Sequence, residues 1–283
     1  MRDLGTPVLD NHLHLDRSGQ GIDAVRDFAR SGGTHLLVVN KPSWHLGVEP
    51  DAGPDFDAVF EATLSLVADA TGVLPGRAWP VLGVHPGLIS RLVDERGFDV
   101  AAARDLMKAG LDRAGAYAAD GAAVAIKSGR PHYDVEPAVW EASNAVLQHA
   151  LEVAADANVA VQLHTEQSTD LREIGEWARE AGLDPDRVVK HYSSGRLEGI
   201  TPSVMSRKEF LETAVETGAP FLMETDFVDD PERPGAVMGP KTVPRRVDWL
   251  LENDHETAVE RAHVETPAAV YGIDTQATLE RSE

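Results

Sequence analysis

The residues best suited to chemistry lie near the N-terminus, in the segment VLDNHLH at positions 8–14. The segment is short and apolar, which is typical of a buried β-strand. Side chains two positions apart on a strand point to the same face, so Asp10, His12 and His14 share one face. Two neighbouring imidazoles on a strand are suitable ligands for a divalent metal. Alone, a His-x-His pair is a weak signal, because most such pairs are ordinary core or surface histidines.

Further along the chain, three more apolar segments end in residues of the same kind, at His164, His191 and Asp226. The carboxyl ends of the strands of a closed parallel barrel meet at one mouth, where residues distant in sequence become neighbours. The ordered set therefore predicts a metal site at that mouth, with His12 and His14 among its ligands. Nitrogen and oxygen ligands suit Zn, and Mn, Ni or Co would also fit.

Short apolar segments alternate with longer amphipathic segments along the chain. The strands and helices that this pattern predicts must position the ligands. Eight strands alternating with helices over about 250 residues predict a (β/α)8 TIM barrel. We expect one domain over residues 1–283. The competing fold is an open doubly wound sheet, which would carry Gly-x-Gly-x-x-Gly after its first strand, and that motif is absent. The predicted strands are 8–14, 35–40, 78–85, 122–127, 160–164, 187–191, 200–205 and 221–225.

These segments, in this order, resemble the TatD-related metal-dependent hydrolases of the amidohydrolase superfamily, in its archaeal-type branch. The resemblance implies hydrolysis at two divalent metal ions held by the residues that match the family's ligands. Those residues are His12, His14, His164, His191 and Asp226. The matching motifs are DNHLHLD at 10–16, GVHP at 83–86, HYSSG at 191–195 and ETD at 224–226.

One position departs from the family pattern. TatD proteins usually carry a metal-bridging Glu at the end of the fourth strand, and Lys127 stands in its place. Burial favours the neutral amine, and a neutral amine can add carbon dioxide to form a carbamate, as in the phosphotriesterase and urease branches. We therefore predict that Lys127 is carboxylated and bridges two metals. The alternative is an unmodified lysine held by Asp226 or by an anion beside a single metal.

The remaining site residues have predicted roles around these ligands. Asp226 is predicted to be catalytic as well as a ligand, taking a proton from a metal-activated water and returning it to the leaving group. Asp10 and Glu224 are predicted to hydrogen-bond the ligands from behind. The Pro- and Gly-rich stretch 228–242 is predicted to lie over the mouth. The predicted substrate contacts are His85, Arg130, His132, Glu166 and Tyr192.

Composition limits the classes of partner. The 283 residues include no cysteine, which excludes disulfides and thiolate metal sites. No apolar run approaches the roughly 18 to 20 residues that cross a bilayer, so we expect a cytoplasmic protein without a membrane partner. The 47 acidic and 26 basic residues give a net charge of −21. A strongly acidic surface suggests a salt-rich cytosol. It also disfavours a nucleic-acid partner, because binding of phosphates needs Lys and Arg.

Together these features predict a hydrolase for a small amide, ester, lactone or phosphoester. The sequence shows no track of basic and aromatic residues for a nucleic-acid strand, which favours a small molecule. Two alternatives stay open. One is a TatD-like phosphodiesterase that acts on DNA, and the other is a non-hydrolytic metal-binding barrel such as a lyase or isomerase. Association into a homo-oligomer is also left open.

Overall fold

The fold is a parallel sheet wrapped by helices. The computed structural model describes residues 4–230, 232 and 237–280, so residues 231 and 233–236 of the loop predicted over the mouth lie outside the described part. Among the described residues the sheet has nine strands, in the order β8-β7-β6-β5-β4-β3-β2-β1-β9. The strands are β1 Leu9–His14, β2 His35–Val39, β3 Ala78–Gly83, β4 Ala125–Gly129, β5 Ala160–His164, β6 Val188–Ser193, β7 Thr201–Met205, β8 Leu222–Glu224 and β9 Phe227–Val228.

Helices separate most of these strands and cover the outside of the sheet. No helix in the described part of the chain is both long enough and apolar enough to cross a membrane. A π-helical turn over Arg261–Glu265 joins α9 to α10. The helices are α1 Ile22–Arg30, α2 Asp57–Thr71, α3 Leu88–Ser90, α4 Val100–Ala119, α5 Pro137–Asp156, α6 Arg172–Glu180, α7 Lys208–Thr217, α8 Thr242–Glu252, α9 Glu256–Glu260, α10 Thr266–Tyr271 and α11 Thr275–Glu280.

The last strand of the barrel is broken in two, and the break closes the sheet. β8 pairs with β7, whereas β9, which follows two residues later, pairs with β1. At the break, Asp226 adopts a positive φ of 48° and its backbone N–H donates a hydrogen bond to the carbonyl of His12. β8 and β9 together fill the eighth position, which confirms the predicted TIM barrel. The predicted strand over 221–225 contains β8, whereas β9 beyond it was not predicted, because the change of pairing partner leaves no mark on the apolar pattern.

Strand ends differ from the predictions where the neighbouring strand sets them. β4 extends to Gly129, so Lys127 lies within the strand, opposite Gly83 on one side and Gln162 on the other. His85 lies beyond the end of β3, and His191 lies within β6. A strand continues as long as its backbone finds a partner, and this pairing cannot be read from one segment alone.

Residues 194–200 connect β6 to β7. All of them are described, and they contain no helix. The connection lies tightly between α6 and α7, and two glycines make this approach feasible. A Cβ at Gly199 would lie 2.5 Å from the Cα of Arg172, and one at Gly195 would lie 2.4 Å from the carbonyl oxygen of Phe210. Both glycines also have φ near +100°, which disfavours other residues. The glycine of the HYSSG turn is therefore explained by packing.

Apolar side chains fill the barrel below the mouth. Leu9, Val81 and Val189 point inward from their strands and pack with Tyr271 and Ile273 from the C-terminal segment. The C-terminal segment thus forms the floor of the barrel, at the end opposite the predicted metal site.

Two buried histidines near the amino ends of β1 and β2 predict sensitivity to acid. Nδ1 of His263 accepts a hydrogen bond of 3.0 Å from the backbone N–H of Leu9. Burial lowers the pKa of His263 to about 3 and that of His35 to about 4. Unfolded histidines protonate near pH 6.5, so below that pH the unfolded chain binds protons that the folded chain does not. The free energy of unfolding should then fall by up to about 1.4 kcal/mol per pH unit for each group.

The variant His263→Asn tests this prediction, because an Asn oxygen can accept from Leu9 but does not titrate. We expect the variant to be less stable at pH 8, and to lose stability less steeply than the wild type between pH 6.5 and pH 4. Urea unfolding of both metal-free proteins across this range measures the two slopes. Equal slopes would contradict the assignment of His263.

Candidate metal centre

Imidazole rings and one carboxylate converge on a cavity at the carboxyl ends of the strands. The cavity has a volume of about 340 Å³. Its walls include predicted ligands from β1, β4, β5 and β6 and from the break after β8. Its described lining residues are His14, Lys41, Pro42, His45, His85, Lys127, His132, His164, His191, Asp226, Val228 and Val237.

One half of the centre lies around Asp226. Its Oδ1 lies 4.0 Å from Nε2 of His12 and 3.9 Å from Nε2 of His14. His12 also stacks on His191, with their ring centroids 4.1 Å apart. Ligand atoms of His12, His191 and Asp226 lie within 4.8 Å of one another. This spacing lets one ion reach two or three of these groups after small side-chain rotations.

The other half lies between His164 and His191. Nδ1 of His164 is 2.8 Å from Nε2 of His191, a distance at which two bare nitrogens repel unless a proton or a cation lies between them. On its far side, Nε2 of His164 lies 2.8 Å from Nδ1 of His132. Nδ1 of His191 lies 3.4 Å from Oε1 of Glu224. His164 is therefore held by His132, whereas Nδ1 of His191 makes no hydrogen bond among the described residues; one nitrogen of each ring faces the other.

Burial sets the charges of these groups. It lowers the pKa of His12 and His191 well below the usual range for histidine, and that of His14 to about 3. The imidazoles are thus neutral, which is the form that binds metals. Burial also raises the pKa of Asp226 to about 7. A buried set of neutral imidazole nitrogens and a carboxylate fits divalent cations, which would supply the missing positive charge.

Lys127 lies between the two halves. Its amine is 3.5 Å from Nε2 of His12, and the residue is 2% exposed. Burial lowers the pKa of the Lys127 amine to about 7, although the nearby Asp226 opposes the shift. Burial therefore favours the uncharged form of this amine. A second buried lysine, Lys190, was not singled out from the sequence, and its amine donates to the carbonyl of His191 at 3.3 Å.

The structure corrects the predicted contact of Asp10. Its carboxylate accepts hydrogen bonds from Thr225, at 3.0 Å from the backbone N–H and 2.6 Å from Oγ1, and not from an imidazole. Asp10 therefore holds the turn that carries Asp226. His12 turns its Nδ1 instead to Gln162 Oε1, at 2.7 Å. Only the inward position of Gln162, two residues before His164 on the same strand, could have indicated this contact.

Of the five predicted substrate contacts, His85 and His132 line the cavity. The backbone N–H of Gly87 donates to Nδ1 of His85 at 3.1 Å. That nitrogen is therefore unprotonated, and Nε2 carries the hydrogen. Burial lowers the pKa of His85 well below its usual range, so His85 is a neutral hydrogen-bond donor.

Arg130, Glu166 and Tyr192 are not among the described residues that line the cavity. The guanidinium of Arg130 is paired with Glu166 through hydrogen bonds of 2.9 Å and 2.5 Å, and it lies over the ring of Trp140. Tyr192 is turned by a positive φ of 59°, and its backbone N–H donates to Glu224. Arg130 and Glu166 are thus paired with each other, and their contacts with a substrate stay predictions.

Comparison with known proteins identifies relatives over nearly the whole chain. A family model described as TatD related DNase matches residues 9–272. An uncharacterized protein of Methanocaldococcus jannaschii is 33% identical, over 95% of this chain and 97% of its own length. A TatD-like protein from Archaeoglobus fulgidus superposes with a TM-score of 0.57 at 17% identity, over 94% of this chain and all of that one. A lactonase from Listeria monocytogenes gives 0.58 at 13% identity, over 94% of each chain.

The turn that carries Asp226 yields a testable prediction. Thr225→Val keeps the shape of the side chain but removes its hydrogen bond to Asp10. Outer partners of ligands typically contribute 10- to 100-fold to metal affinity, so we expect a loss of about 10-fold in titration calorimetry of the metal-free protein. Thr63→Val is the control, since Thr63 is a buried threonine with one hydrogen bond within α2. Equal affinities in the two variants would show that Asp226 does not depend on this turn.

Proposed function

The chain belongs to the TatD-related DNase family and is a metal-dependent hydrolase; from this premise we propose that its substrate is a small amide, ester, lactone or phosphoester. The size of the cavity carries the proposal. A volume of about 340 Å³ lies near the lower end of the range for sites that enclose small molecules. Pro42, Val228 and Val237 add an apolar wall to the polar mouth, which suits a substrate with one reactive polar group.

We propose that two divalent cations bind at this mouth, Zn first among them, with Mn, Ni and Co as alternatives. His12, His14 and Asp226 would hold one, and His164 and His191 would hold the other. The nitrogen and oxygen donors support this choice of metals. When bound, such cations polarise the scissile group and lower the pKa of water, which makes hydroxide available near neutral pH.

We further propose that Lys127 carries a carbamate that bridges the two halves. The nitrogen forms a bond to the carbon of carbon dioxide and releases one proton, which leaves a carboxylate at the end of the side chain. The position of the amine between the halves supports this assignment, as does the lack of any other predicted bridging carboxylate. The neutral amine that the reaction needs is consistent with the lowered pKa of Lys127.

Asp226 is suited to hold a proton during the reaction. Its carboxylate faces both histidines of β1 at about the same distance, and burial raises its pKa to about 7. A carboxylate with such a pKa can take a proton from water and return it to a leaving group near neutral pH. His85, with its Nε2–H, could bind an oxygen of the substrate, and His132 lies on the same side of the cavity.

Cleavage of nucleic-acid phosphodiesters is the second candidate function, and the family match favours it. The net charge of −21 argues against it at low ionic strength. Repulsion of this kind is screened at about 1 M salt, where the Debye length is roughly 3 Å. We propose that the protein works in a salt-rich cytoplasm, so both functions must be assayed at low and at molar KCl.

The substrate prediction is tested by assaying metal-loaded protein against small esters, lactones and phosphoesters and against labelled single-stranded DNA. We expect turnover of a small substrate that is abolished by chelation and reduced at least 100-fold in Asp226→Asn. Rapid trimming of DNA, with no small substrate turned over, would establish the second candidate instead. Two bound metal equivalents without hydrolysis of any substrate would favour a non-hydrolytic barrel.

The carbamate prediction is tested with ¹³C-labelled bicarbonate. We expect metal-loaded protein to show one carbamate ¹³C resonance, which disappears in Lys127→Met together with one metal equivalent by elemental analysis. Lys190→Met, which replaces the neighbouring buried lysine, is the matched control and should keep both the resonance and the metal. An unmodified Lys127 amine in a crystal with both ions bound would overturn the proposal.

A further inference from the structure

Behind His12, inside the barrel, lies one glutamine whose hydrogen bonds are all made within the protein. Gln162 of β5 has no exposed surface. Its Nε2 donates to the backbone carbonyl of Asn11 at 3.0 Å and to the hydroxyl oxygen of Tyr271 at 2.9 Å. Its Oε1 lies 2.7 Å from Nδ1 of His12. Both hydrogens of the amide nitrogen and one lone pair of the oxygen are therefore used.

These contacts determine which way the amide points. The carbonyl of Asn11 can only accept a hydrogen bond, so the side of the Gln162 amide that faces it must be the nitrogen. The oxygen then faces His12. Because an amide oxygen can only accept, Nδ1 of His12 must carry the hydrogen. In a neutral imidazole the other nitrogen, Nε2, is then bare, and this is the atom that faces Asp226 at 4.0 Å.

We propose that Gln162 is a positioning residue that fixes His12 in the Nδ1–H form and so prepares its Nε2 as a metal ligand before any ion binds. The inference rests on the proposed metal site and deepens it. A free imidazole populates both neutral forms, and in one of them Nε2 carries a hydrogen and cannot bind a cation. His12 has no exposed surface, so water cannot replace the glutamine as its partner.

The neighbouring ligand shows why this role falls on a side chain. Nδ1 of His14 lies 2.9 Å from the backbone carbonyl of Val39, which fixes the same form of the ring through the main chain. His12 has no exposed surface, and the acceptor that its Nδ1 meets is a side chain rather than a main-chain carbonyl. Gln162 supplies the missing acceptor, and Asn11 and Tyr271 hold that acceptor in place.

The experiment measures the tautomers directly. Imidazole ¹⁵N–¹H correlation spectra of the metal-free wild type should show His12 in the Nδ1–H form. Gln162→Met, of similar size, should shift His12 toward a mixture and lower metal affinity at this half of the centre about 10- to 100-fold in titration calorimetry. His14 is the internal control, and its ring should stay in the Nδ1–H form in both proteins.

Tyr271→Phe separates the tautomer from general packing. It removes one acceptor from Gln162 but leaves the carbonyl of Asn11, so His12 should keep the Nδ1–H form. A wild-type spectrum with the hydrogen on Nε2 of His12 would overturn the proposal, and this result needs no variant. Unchanged metal affinity in Gln162→Met would overturn it equally. Because the spectra use metal-free protein, they stand even if no substrate is hydrolysed, and a failed tautomer prediction leaves the hydrolase assignment intact.

Discussion

The structure depends on the point at which the last strand changes its pairing partner. Between β8 and β9 the chain leaves β7 and joins β1, which closes the sheet. The same step places Asp226 opposite His12 and His14, in a backbone conformation that non-glycine residues seldom adopt. Strained backbone of this kind is common where a side chain must be aimed precisely enough to function. Closure of the barrel thus also assembles the centre, and the hydrogen bonds that Thr225 donates to Asp10 stabilise this turn.

Burial decides what the gathered groups can do. It keeps the imidazoles neutral and raises the pKa of Asp226 while it lowers that of Lys127, so acids and bases that are ordinarily charged approach neutrality together. Such a site is costly without compensating charge. The same desolvation strengthens the attraction between a bound cation and the groups around it, and it favours proton transfer near neutral pH. The groups that serve the chemistry at the mouth therefore lower the stability of the fold. The apolar layer below the mouth supplies the stabilising packing.

The sequence predicted the barrel and its family because eight apolar segments and the ordered ligand types are local patterns. It could not predict that Arg130 and Glu166 pair with each other, since a position after a strand does not determine where a long side chain points. Asp10 was predicted to share a face with His12, but β1 shifts its register between Asp10 and Leu13, and the partner of Asp10, Thr225, comes from the other end of the chain. Gln162 was missed because a glutamine within a strand carries no recognisable motif. Contacts between distant segments, rather than residue types, account for each of these differences.

The floor of the barrel has a consequence for the order of assembly. Tyr271 and Ile273 pack beneath β1 and its neighbours, although they follow every histidine of the mouth in the sequence. A nascent chain that has exposed every histidine of the mouth still lacks the plug that excludes solvent from beneath them. Until this segment is in place, water can reach the imidazoles from below, and the burial that lowers their pKa is incomplete. Burial of the imidazoles is therefore completed only when the segment that carries Tyr271 and Ile273 packs beneath them.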